Sequence, residues 1–123
     1  MTHSRVEQFH QERAGYNEIL AQYANPEIKR FLGIDTTSYQ DGALPKKTKE
    51  LLGFVASLVL RCDDCILYHL IECHKQGVTS QELSETIGIG LLVGGSITIP
   101  HIRRAIKVWH EELGGHTLAV KGA

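Results

Sequence analysis

Cys62-Asp63-Asp64-Cys65 and the His69 that follows are the residues of this chain best suited to chemistry. Two cysteines at this spacing can close into a disulfide. If they open a helix, unpaired N–H groups and the helix dipole favour a thiolate and lower its pKa from about 8.5. Asp63 and Asp64 act in the opposite sense, because neighbouring negative charge raises a thiol pKa. His69 lies one turn beyond Cys65 on the same helical face, within reach as a proton acceptor. Thiol redox chemistry at Cys62, Cys65 and His69 is one reading.

Metal binding and core packing are the others. Cys62, Cys65, His69 and Cys73 share one helical face. A rise of about 1.5 Å per residue spreads them over roughly 16 Å, whereas zinc ligands converge within about 2.0–2.3 Å of one ion. No second CxxC and no HxxxH pair supplies further ligands, so no metal is expected. Core packing as a small hydrophobe suits Cys73 better than the Cys62–Cys65 pair.

Glu50 is a fourth candidate. In one continuous helix it would lie about 18 Å from Cys62. A chain reversal near Arg61–Asp64 would instead bring it alongside the next helix, towards His69. A buried carboxylate bonded to a histidine orients the imidazole and stabilises its charged form. Taken by itself, Glu50 after Lys46, Lys47 and Lys49 reads as a solvated first-turn residue.

The elements that must position these groups are helical. Val6–Tyr23 forms a first helix weakened by Gly15, and Asn25-Pro26 stops it and starts a short segment to Leu32. Residues 33–43 carry the composition of a connector. Leu44-Pro45 opens a long apolar helix that breaks around residues 61–64. Two aspartates then begin a helix running to about Gln76 and closed by Gly77. Thr79-Ser80-Gln81-Glu82 is a capping box for the next helix, which enters a Gly-rich stretch to Gly94-Gly95. Those glycines alternatively mark a loop, and Ile87–Ile99 has the Val and Ile content of a strand with nothing to pair with. Pro100 begins a last helix that ends by Gly114-Gly115, before a short fraying tail. The fold class is all-α, a compact bundle of five to seven helices.

Length and composition agree with that. A chain of 123 residues makes one domain, 1–123, with its redox core at about 44–105. With 42% hydrophobic and 22% charged residues and a net charge of −1, neither disorder nor a strongly basic nucleic-acid binder fits. The N-terminus lacks the apolar core of a signal peptide. The longest uncharged stretches, Leu51–Leu60 and Thr86–Pro100, fall short of the roughly 18 apolar residues of a membrane span. A cytoplasmic protein with no membrane or nucleic-acid partner is expected. Helices apolar on most of their circumference must be buried all round, and Gly88, Gly90, Gly94, Gly95 and Ser96 allow close approach. Burial against a second copy of the chain, as a homo-oligomer, is the natural solution.

Glu50, eleven residues, Cys62, two residues, Cys65, three residues, His69 resembles the E-x11-C-x-x-C-x3-H signature of the alkyl hydroperoxidase D-like proteins, in the carboxymuconolactone decarboxylase superfamily. Leu44-Pro45-x-x-Thr48-Lys49-Glu50 and Gly77-Val78-Thr79-x-x-Glu82-Leu83 are also similar to that family, so the likeness runs from about Leu44 to Ala105. It implies an all-helical homo-oligomer, often a trimer or a hexamer of trimers, in the small single-repeat branch. It also implies a peroxidase or disulfide reductase without metal or cofactor, acting on a hydroperoxide and recharged by an external dithiol. Cys65 would be the peroxidatic thiolate, Cys62 the resolving thiol, and His69 with Glu50 the proton relay. The family usually has a histidine just before the second cysteine, where this chain has Asp64.

Dipole reasoning alone favours Cys62 as nucleophile, and the spacing to His69 favours Cys65. The latter is preferred, since a specific base outweighs about 0.3–1 kcal/mol of dipole effect. Two other functions compete: a decarboxylase-type lyase acting on a carboxylated lactone, which needs no cysteine pair, and a redox sensor whose disulfide switches packing without turnover. His101, Arg103 and Arg104 read either as an anion site or as a solvated helical face, and His74 has no assigned role.

Overall fold

The structure, a computed structural model, describes residues 4–114, and Gly115 with the expected tail lies outside them. Six helices follow in order: α1 Arg5–Tyr23, α2 Pro26–Ser38, α3 Lys46–Leu60, α4 Asp63–Lys75, α5 Ser80–Gly94 and α6 Ile99–Glu112, with a 3-10 turn at Ser96–Thr98. There is no strand among the described residues. No helix is long and apolar enough to cross a membrane.

Local chemistry sets most of the boundaries. Asn25 Oδ1 accepts from the Ile28 amide at 2.9 Å, with Pro26 in the first turn of α2. Thr79 and Glu82 exchange the two hydrogen bonds of a capping box at the start of α5. Gly77 follows α4 with φ +78°. The glycines expected either in a helix or in a loop are helical as far as Gly94.

One boundary differs from expectation. α2 continues to Ser38, so the connector shrinks from 33–43 to 39–45. A single glycine in a helix costs about 1 kcal/mol but does not break it. Beyond Gly33 the hydroxyls of Thr36 and Ser38 bond back to the Leu32 and Ile34 carbonyls within the helix. The shortened connector is then tied to α3: Asp41 Oδ1 accepts from the Lys46 amide at 2.7 Å, and Lys49 Nζ donates to the Gln40 carbonyl at 2.7 Å.

The reversal between α3 and α4 is made by Arg61, the one described non-glycine residue with positive φ, at +59°. Its N–H bonds the Leu58 carbonyl and the Cys62 N–H bonds that of Ser57, which closes α3 and turns α4 back along it. Phe54 and Leu58 of α3, Leu70 of α4 and Leu83 of α5 are the innermost apolar side chains. α6 adds Val108 and Trp109, whose indole N–H donates to Ser80 Oγ at 2.8 Å. α1 is pinned at its start, where the Glu112 carboxylate accepts from the Arg5 and Val6 amides and Phe9 enters the core.

Gly90 lets α5 approach α3: a Cβ there would lie 2.7 Å from Leu58 Cδ2. Gly15, by contrast, has nothing within 4 Å of such a position. Gly90→Val should therefore lower stability by about 1–3 kcal/mol through overpacking, while Gly15→Ala should raise it by roughly 0.5–1 kcal/mol. Urea midpoints at constant m-value check both; a stabilised Gly90→Val would contradict the close α3–α5 contact.

Candidate active site

Cys62 is the N-cap of α4, and its Sγ accepts from the Cys65 amide at 3.3 Å. The two cysteines are paired as a disulfide with Cα atoms 5.2 Å apart, inside the range such bonds require. Cys62 is half-buried and Cys65 is exposed. Helix geometry thus puts the pair where α4 offers its unpaired N–H groups.

One turn on, His69 is buried against α3. Its Nδ1 lies 2.9 Å from Glu50 Oε1, and Lys46 Nζ donates to Glu50 Oε2 at 3.2 Å. Glu50 is only 1% exposed, so the solvated first-turn reading of that residue is wrong. The reversal at Arg61 converts a distance along the chain into a hydrogen bond. A carboxylate in this position accepts, so Nδ1 of His69 donates and Nε2 is left to accept.

Two residues that the sequence reading passed over complete the histidine's surroundings. The Tyr39 hydroxyl lies 3.4 Å from His69 Nε2, with ring centroids 5.0 Å apart. Burial, then the charges of Asp35 and Glu50, push the Tyr39 phenol above its usual range. It therefore stays protonated near neutrality and can donate to Nε2. Gly53 makes room for both rings: a Cβ there would fall 2.7 Å from His69 Cε1 and 2.8 Å from the Tyr39 oxygen. Tyr39 falls within the connector that the sequence suggests. A glycine inside an otherwise apolar helix was the available signal for Gly53, since such a residue usually answers a packing need.

Cys65 and His69 both line a cavity of about 300 Å³, with Phe9 and Tyr16 of α1 and Tyr68 of α4 as its aromatic walls. Arg13 sits over the Tyr68 ring, 4.7 Å from its centroid. Cys73 faces away into the core, where burial, then the Glu50 and Glu72 charges, push its thiol up to about 12. Such a thiol stays protonated and unreactive near neutrality.

His101 and Arg104 form neither of the arrangements expected of them. His101 Nδ1 lies 2.7 Å from Asp63 Oδ1 and Arg104 donates to Asp63 Oδ2 at 3.1 Å, which ties α6 to the first turn of α4. Burial pulls the Asp63 carboxyl up, but the His101 hydrogen bond and the Arg104 charge outweigh it and hold it below its usual range. Arg103 is exposed. His74 meets the Trp109 ring edge-on, 5.8 Å between centroids. Among the described residues no group of three His, Cys, Asp or Glu side chains could hold a metal ion.

The family model of the carboxymuconolactone decarboxylases matches residues 28–108, a span that contains Glu50, both paired cysteines and His69. The chain belongs to the carboxymuconolactone decarboxylase family. A crystal structure of a Thermotoga maritima protein superposes with a TM-score of 0.83 at 47% identity, covering 85% of this chain and 92% of that one. A second Thermotoga maritima crystal structure, at 51% identity over 72% of this chain and 91% of that one with a TM-score of 0.70, is described as a carboxymuconolactone decarboxylase family protein with a suggested part in the antioxidative response. An uncharacterised protein of Cupriavidus necator is 32% identical over 76 residues, 62% of this chain and 67% of its own. The all-α architecture is therefore that of this decarboxylase family.

Gly53→Ala should leave the helices intact yet force the His69 ring off Glu50. The expected result is a stability loss of about 1–3 kcal/mol and a changed His69 Nδ1–H resonance in proton NMR. An unchanged resonance would mean that Gly53 does not set the ring's position.

Proposed function

We propose that the protein is a thiol-dependent peroxidase that reduces hydroperoxides through Cys65 and Cys62, with Glu50 and His69 as its proton relay. The observation that carries this reading is the exposed Cys65, half of a disulfide-forming pair, on a cavity that it shares with a histidine held by a buried carboxylate. Cys62 does not line that cavity, which supports Cys65 as the attacking sulfur.

In the reduced enzyme His69 takes the Cys65 proton on Nε2, which the long Tyr39 contact gives up, and Glu50 stabilises the imidazolium. The thiolate attacks the distal oxygen of ROOH: the S–O bond forms, the O–O bond breaks, and RO⁻ leaves and is protonated to ROH. Cys65 is now a sulfenic acid. The Cys62 thiolate attacks its sulfur, expelling hydroxide that is protonated to water, and the disulfide forms. An external dithiol then reduces it by exchange, returning both thiols and becoming oxidised itself. The antioxidative role suggested for the Thermotoga maritima relative agrees with this cycle.

Peroxide turnover with a dithiol, followed by mass spectrometry of the thiols, tests it. Cys65→Ser should abolish turnover, Cys62→Ser should trap a sulfenic acid on Cys65, and Cys73→Ser should keep the cycle. Glu50→Gln should lower kcat/KM about 10²–10⁴-fold, the usual contribution of general acid–base catalysis. Full activity in Cys65→Ser would sink the proposal, and decarboxylation of a carboxylated lactone by a Cys62→Ser, Cys65→Ser double variant would replace it with the lyase.

The homo-oligomer is proposed on the same footing. Leu60 at the end of α3 and Leu92 and Val93 near the end of α5 are largely exposed, Leu92 81%, and nothing among the described residues covers them. Light scattering should give a mass at a multiple of 13.7 kDa, and a monomer's mass at micromolar concentration would refute it.

A further inference from the structure

The cavity over Cys65 carries an uneven charge. Glu12 of α1, Asp35 of α2 and Asp64 of α4 all contribute to its lining, and all three side chains are exposed. None of them is ion-paired among the described residues. Asp63, the fourth acid nearby, is occupied by His101 and Arg104 and lines a different pocket. Against the three carboxylates the lining holds the Arg13 guanidinium, which rests on the Tyr68 ring, and His69, whose charge when protonated is answered by Glu50. The three acids come from three different helices and line the same cavity as Cys65, so they do not form one face of a single helix.

We infer that this cavity excludes anions from Cys65 and admits uncharged hydroperoxides with an alkyl or aryl body. The inference rests on the peroxidase reading and names its substrate class. Phe9, Tyr16 and Tyr68 supply apolar surface for the carbon body. The volume of about 300 Å³ is at the lower end for small-molecule sites, roughly 300–1,000 Å³, which suits a compact molecule. A cleft lined by one sign of charge raises or lowers the local concentration of a charged reactant by about tenfold or more. A carboxylated hydroperoxide, and equally a carboxylated lactone, meets that barrier where its uncharged counterpart does not.

The test separates this inference from the peroxidase reading. The full-length reduced protein is alkylated in parallel with iodoacetamide, which is neutral, and iodoacetate, which is anionic, and adducts at Cys65 are counted by mass spectrometry. Both reagents attack the same thiolate, so its fraction cancels in the rate ratio, and 2-mercaptoethanol gives the ratio without a protein. At low salt the iodoacetamide-to-iodoacetate ratio at Cys65 should exceed that reference about tenfold. It should fall towards the reference as salt screens the carboxylates, and also in the triple variant Glu12→Gln, Asp35→Asn, Asp64→Asn. The salt series stands even if the variant fails to fold.

Turnover of cumene hydroperoxide should exceed that of its para-carboxylate by a similar factor in kcat/KM. A Cys65 ratio at or below the small-thiol value overturns the inference, as does equal turnover of the two hydroperoxides. Selective alkylation with no turnover of either supports the anion-excluding cavity and overturns the peroxidase reading instead.

Discussion

The hydrogen bond between buried Glu50 and His69, 2.9 Å long, is the constraint on which the rest of the site depends. A carboxylate withdrawn from water is stabilised only where charged or donating partners replace its hydration. Glu50 has two: His69 on one oxygen and Lys46 on the other. The His69 bond would be lost if α4 slid by one residue along α3, so it selects the register of the hairpin as well as the histidine tautomer. Removing either partner leaves a charge in the core, which for buried pairs costs about 3–5 kcal/mol. The αL turn at Arg61 and the missing side chain at Gly53 are the backbone concessions that let the pair form. A left-handed non-glycine residue costs roughly 1–2 kcal/mol, small beside the consequence of orphaning Glu50.

A second balance operates at the start of α4. The helix N-terminus favours negative charge, and three candidates compete for it: the cysteine sulfurs, Asp63 and Asp64. Asp63 is drawn aside by His101 and Arg104, so much of its charge is answered from α6. Asp64 has no ion-pair partner among the described residues and faces the cavity. The dipole's share for a thiolate is about 0.3–1 kcal/mol, and Asp64 opposes it. The part proposed for His69 as base therefore matters more here than it would beside a pair flanked by neutral residues.

Much of this was legible because it rests on local rules. The break before Cys62, the capping box at Thr79 and the glycine after α4 each follow from residues within one turn of the boundary. The Glu50–His69 pairing was legible only as a consequence of the reversal, since in a continuous helix the two could not meet. Tyr39 was not legible, because its role depends on α2 running on to Ser38 and carrying the ring to α3. Gly33 and the following Asp, Thr and Ser residues have turn composition, and the Thr36, Thr37 and Ser38 hydroxyls instead donate to helix carbonyls. The tie made by His101 and Arg104 is not legible for a similar reason: Asp63, their partner, is 38 and 41 residues away. Contacts of that separation leave no periodic trace in the chain.

The proposed relay and the mouth of the cavity are built from different elements. Glu50, His69, Gly53 and Tyr39 lie where α3 packs on α4, buried or half-buried and mutually dependent. Glu12, Asp35 and Asp64 lie on exposed surfaces of three helices and support no ion pair among the described residues. A substitution in the first group disturbs packing, hydrogen bonding and charge together, so such changes couple strongly. One in the second alters the field over Cys65 and little else. A scaffold divided in this way can hold its acid–base machinery constant while the molecules admitted to it vary.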